Sequence, residues 1–245
     1  MKQTISTANS GKQQGFTLIE IAIVLVIIGL LLGGVLKGQE LINTARVRAL
    51  NNNVDGITAA WFSFQDRYRG FPGDYSQAVV NLPDPTGTAG TIVANGDGNG
   101  LVDTIAEQAN VWVQLQAAGY ITGSFDADAA GTLAIDSYDC SLDTCPDNGF
   151  GAGMNLAFGL QVLAAGAATP PAAAHELMTG RGIPVEVLAE LDRKVDDGAT
   201  NTGAMQLGLG STNGWSTADS GLCDNGGNYQ IQNPSTNCAA VFRNF

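Results

Sequence analysis

Residues 16–36 read FTLIEIAIVLVIIGLLLGGVL, an apolar run that contains one charge, Glu20. At about 1.5 Å of rise per residue, such a run makes a helix of roughly 30 Å, the thickness of a bilayer's hydrocarbon core. An ionised carboxylate costs about 2.5 kcal/mol or more at the centre of a helix in lipid, so Glu20 is a functional candidate that needs a partner. Three plain readings compete. A cleaved secretory signal has a shorter apolar stretch followed by a small-residue cleavage site, whereas this run leads into Lys37, Gly38 and Gln39. A simple membrane anchor accounts for the length but not for the carboxylate. A buried soluble helix fits least, because the apolarity goes all the way round.

The rest of the chain sets further limits. Its 245 residues suffice for one large domain or two small ones. Only 14% of residues are charged, against roughly 25% in ordinary chains. With 44% hydrophobic residues, that composition excludes wholesale disorder. The formal net charge of −12 argues against nucleic acid as a partner, since phosphate backbones need clustered Lys and Arg, unless Arg181, Arg193 and Lys194 form a local basic patch. His175 is the single histidine, which rules out His-rich metal sites and paired catalytic histidines.

The sequence GFTLIE at residues 15–20, followed directly by the apolar run, resembles the processing site of type IV prepilins and of the pseudopilins of type II secretion. The resemblance covers about the first fifth of the chain. It implies that a membrane peptidase cuts between Gly15 and Phe16 and that the new N-terminal Phe16 is N-methylated. The leader, residues 1–15, carries Lys2 and Lys12, as expected of a segment held on the cytoplasmic side. After the cut, Phe16 bears a free amine and Glu20 becomes the fifth residue. An amine and a carboxylate in lipid are each costly alone and much cheaper paired. Subunits stacked with an axial offset could pair Glu20 of one with the Phe16 amine of the next, which sets register as a buried polar group does in a coiled coil.

Beyond residue 36, Leu41, Ile42, Ala45, Val47, Leu50, Val54, Ile57, Ala60 and Trp61 recur mostly at spacings of three and four. This predicts one helix over residues 16–68, apolar all round in its first half and amphipathic in its second. No proline interrupts it, so any kink would fall near residues 29–38. RGFPGD at residues 69–74 ends it, and the longer run RYRGFPGDYSQA resembles a subgroup of pilin-like proteins. Residues 81–100 read as a loop. A second helix is expected over 105–118, strand structure over 121–135, and a short helix over 184–194 with Pro184 near its start. Residues 154–168 are ambiguous between strand and helix. Residues 204–206 and 229–232 read as strands, and 239–245 as an edge strand. The expected fold class is α+β: a long N-terminal helix on an antiparallel sheet, pilin-like, with loop insertions and short helices. The expected division is a leader at 1–15, a helix at 16–68 with its membrane half at 16–36, and a head at 69–245.

Two loops carry chemistry. Residues 95–103, NGDGNGLVD, alternate oxygen-bearing side chains with glycine, the spacing of a calcium loop. The candidate ligands are Asn95, Asp97, Asn99, the Leu101 carbonyl, Asp103 and Glu107. The match is imperfect, with Asn95 first and Glu107 one place late, and a glycine-rich turn explains the same pattern. Asp196 and Asp197 read as capping a turn before Gly198 and facing solvent, with cation binding as the alternative. His175 reads as a surface residue at a helix start.

Cys140, Cys145, Cys223 and Cys238 make an even count, which in an exported domain implies disulfides; four cysteines allow three connectivities. Proximity favours Cys140 with Cys145 and Cys223 with Cys238. The second pairing closes a loop of about 14 residues, worth on the order of 3 kcal/mol, and it resembles the disulfide-bounded C-terminal loop of pilins.

Three functions follow in order. The first is a structural subunit of a type IV filament, pilin or pseudopilin, that needs no cofactor beyond the calcium the loop suggests. Its implied partners are copies of itself and other pilins, prepilin peptidase, the assembly platform and its ATPase, and the inner membrane. Its implied location is a single pass through the bacterial inner membrane, then a periplasmic or extracellular filament. The second is a low-copy minor pilin, an adhesive or substrate-binding module at the fibre tip. The third, a membrane-tethered enzyme, lacks a Ser/His/Asp set, a phosphate loop or a paired-carboxylate motif.

Overall fold

The computed structural model describes residues 18–84, 93–126, 140, 142, 144–160, 162, 171–208 and 222–245. Its elements, in chain order, are α1 (Leu18–Tyr68), α2 (Ala78–Asn81), α3 (Ile105–Ala117), β1 (Asn155–Gly159), β2 (Ala174–Met178), α4 (Val185–Val195), β3 (Met205–Leu207) and β4 (Ala240–Phe242). The class is α+β, as the sequence implies. The chain divides into two compact units, Met1–Thr44 and Ala45–Phe245. The second unit starts inside α1 rather than at residue 69, because Val47, Leu50, Val54, Ile57, Ala60, Trp61 and Phe64 are buried in its core.

α1 stays helical through Gly29, Gly33, Gly34 and Gly38, so no break occurs where a kink could have fallen. It ends at the expected place by an unexpected residue. Arg69, not Gly70, takes the left-handed conformation (φ 58°), and its N–H reaches Gln65 O at 2.9 Å. This is a left-handed helix stop, usually the role of glycine.

The sheet is antiparallel with strand order β1-β2-β4-β3. Asn155 pairs with Met178 and Gly159 with Ala174 across β1 and β2; Leu177 pairs with Phe242, and Met205 with Phe242 from the other side. β4 is therefore an inner strand, not the edge strand expected of residues 239–245. Residues 229–232 form no strand either: Tyr229 makes an isolated bridge to Asp224. Residues 121–126 are not a strand, and most of the predicted 121–135 strand lies outside the described residues.

α3 is set by a capping box: the Thr104 hydroxyl accepts from Glu107 N, and Glu107 Oε2 accepts from Thr104 N. That satisfies two of the four N–H groups a helix start leaves over. Gln114 and Asn110, buried on α3, bind the loops beside them: Gln114 Oε1 accepts Gly73 N at 2.7 Å, and Asn110 Oδ1 accepts Ala94 N at 3.2 Å. α4 starts on Pro184, as the sequence predicts, and buries Val185, Leu188 and Leu191.

Candidate functional site

In the first unit, Glu20 lies in the first described turn of α1. Gly15 and Phe16, the expected cut and methylation site, lie outside the described residues. The apolar side chains that follow are exposed on every side of the helix: Leu18 is 87% exposed, Leu30 73%, and Ile28, the least exposed of the large ones up to Leu36, still 45%. Just beyond them, Lys37 Nζ meets Glu40 Oε2 at 2.6 Å. Soluble monomers rarely expose a continuous apolar surface of this size, so this one requires a lipid or protein covering. Among the described residues, α1 is the one helix long and apolar enough to cross a membrane.

In the second unit, the predicted calcium loop is folded around a carboxylate. Asp74, from the turn after α1, is almost fully buried. Its Oδ1 accepts Gly98 N at 2.7 Å and Asn99 N at 3.0 Å, and its Oδ2 accepts Gly100 N at 2.9 Å. Burial pushes the Asp74 carboxyl above its ordinary range, against the pull of the Gly100 and Gly98 amides. The close approach is possible only because residue 96 is glycine: a Cβ there would lie 2.4 Å from Asp74 Cα.

The side-chain oxygens of the proposed ligand set bind amides of the loop and its neighbours. Asn95 Oδ1 accepts Val79 N at 2.9 Å, Asp97 Oδ1 accepts Asn99 N at 2.9 Å, and Asn99 Oδ1 accepts Leu101 N at 2.7 Å. Glu107 serves the capping box and the amides of Asp97 and Asp103. Of the proposed carboxylates, Asp97 and Glu107 come together, and they do so with Asp74, which the spacing argument missed. Asp103 lies outside that group of carboxylates. The glycine alternation is accounted for by backbone turning, with φ of 76° at Gly98 and 88° at Gly100. The signal for Asp74 was its place in the FPGD turn, which positions a carboxylate where α1 stops.

The disulfides join Cys140 to Cys145 and Cys223 to Cys238. Cys238 also exchanges both backbone hydrogen bonds with Ile183, and these tie the approach to β4 to the approach to α4, while the bridge ties it to Cys223. His175 is not at a helix start or on the surface. It lies in β2, buried among Trp61, Phe71 and Phe158 with ring centroids 4.7–5.3 Å away. Its Nε2 accepts Val102 N at 3.3 Å, which fixes the neutral form, and burial lowers its pKa.

No curated protein and no solved structure matches the chain significantly. One family model does match, over residues 10–36, which contain the expected cut and Glu20. It describes the prokaryotic N-terminal methylation motif, and in that segment the chain carries the signature of type IV prepilins and pseudopilins.

Proposed function

We propose that the protein is a structural subunit of a type IV filament, a pilin or pseudopilin. In this reading prepilin peptidase cuts between Gly15 and Phe16, Phe16 is methylated, and residues 16–36 hold the subunit in the inner membrane. An assembly ATPase and platform protein then move it into a helical fibre. There the apolar helices bury one another, at about 25 cal/mol per Å² of apolar surface kept from water, and Glu20 pairs with the Phe16 amine of a neighbour. The single observation behind this is the continuity of the methylation motif with a helix that exposes apolar side chains on every face. The role is structural rather than enzymatic.

The test is Gly15→Ala in the producing bacterium. The expected result is a precursor that keeps residues 1–15 and forms no filament. A Gly15→Ala chain that still begins at Phe16 by mass spectrometry contradicts the cleavage assignment.

A further inference from the structure

We propose that the end of α4 is a calcium site formed by Asp192, Asp196 and Asp197. One carboxylate oxygen from each lies within 4.8 Å of the others. Such a group of exposed acids would mean little, but Asp192 is fully buried. Its Oδ2 accepts the Tyr229 hydroxyl at 2.8 Å, and its buried Oδ1 has no hydrogen-bond partner among the described residues. A buried carboxylate oxygen without a partner carries its full desolvation cost. Nearby side-chain cations do not relieve it: Lys194 binds Glu190 at 2.6 Å, and Arg193 makes no ion pair among the described residues. A divalent cation would supply the missing charge.

The turn holds the other two carboxylates beside Asp192. Asp196 Oδ2 accepts from Ala204 N and, at 3.2 Å, from Met205 N; Asp197 accepts Ala199 N at 2.9 Å and the Thr202 hydroxyl at 2.6 Å. Gly198 and Gly203 both take positive φ, and a Cβ on Gly203 would overlap the Asp196 carboxylate. An all-oxygen donor set with three carboxylates suits calcium, which accepts six to eight oxygens in flexible geometry, with backbone carbonyls and water completing the shell. Magnesium demands a near-ideal octahedron and suits this turn less. The contrast with Asp74 is direct: there every carboxylate oxygen is met by an amide, whereas here one is left over.

The experiment is calcium titration of the full chain in detergent, by calorimetry and by thermal melting, with magnesium as a parallel arm. The expected result is one saturable calcium site per chain, a rise in melting temperature with calcium, and a smaller rise with magnesium. Asp192→Asn should abolish the site. Asp197→Asn, which alters an exposed ligand and spares the core, should weaken it at least about tenfold, and Asp97→Asn should leave it intact. No saturable binding at millimolar calcium overturns the proposal. So does binding that survives Asp192→Asn and Asp197→Asn but is lost in Asp97→Asn, which would place the ion in the 95–107 loop.

Discussion

The two stretches of α1 have the same backbone and opposite side-chain logic. From Leu18 to Leu36 apolar residues occupy every face and none is buried. From Val47 to Phe64 apolar residues hold one face, buried against the head, while Arg48, Asn51 and Asp55 take the other. A helix acquires one-sided patterning when its own chain supplies the covering, and all-round patterning when the covering comes from elsewhere. Damage to the two stretches should therefore register in different assays.

The largest expected separation comes from Glu20→Ala. It should be cut and methylated normally, melt as the parent does, and fail to enter fibres. Incorporation at the parent level would remove Glu20 from the account of assembly. Next is Trp61→Ala, which empties a fully buried position stacked on Phe71 at 5.2 Å. It should lower the unfolding free energy of the head by about 3–5 kcal/mol, measured by denaturant titration. Ile28→Ala should change it by less than about 0.5 kcal/mol. Equal losses at the two positions would break the comparison. Replacing Cys223 and Cys238 together by Ser opens a bridge of sequence separation 15 and should cost the head about 3 kcal/mol. Processing at Gly15 should be unaffected; a precursor that stays uncut would show that the head governs cleavage.

The smallest effect concerns pH. His175 is held neutral by burial, with its pKa below the ordinary 6.5. Below that ordinary value the unfolded chain binds more protons than the folded one, so stability present at neutral pH is lost as the pH falls through the folded pKa. Asp74 and Asp192, with raised pKa values, act in the opposite direction. The clean readout is the difference between the parent and His175→Gln: the parent should lose more stability on acidification from neutral pH, and identical profiles would contradict the buried neutral imidazole.

The three longer helices were legible in the sequence because their signals are local; the four-residue α2 was not. Periodicity placed α1 and α3, Pro184 marked the start of α4, and the methylation motif is contiguous over residues 10–36. What could not be read depends on distant partners. β4 is internal because β2 and β3 flank it, which no local pattern in residues 239–245 records. The alanines before His175 look helical, yet cross-strand pairing with Phe158 and the aromatic cage decide its fate. Asp74 meets amides 24–26 residues away, and Asp192 meets Tyr229 across 37. Hence the glycine-rich loop showed Asp97 and Glu107 but not Asp74, the carboxylate they meet, while the aspartate buried on α4 gave no sign of itself.

The most direct test of the central claim is the mass and N-terminal sequence of this chain recovered from sheared surface fibres. The account predicts a chain that begins at N-methylated Phe16. A chain that begins at Met1, or that is absent from every fibre fraction of a strain that makes it, would contradict the account.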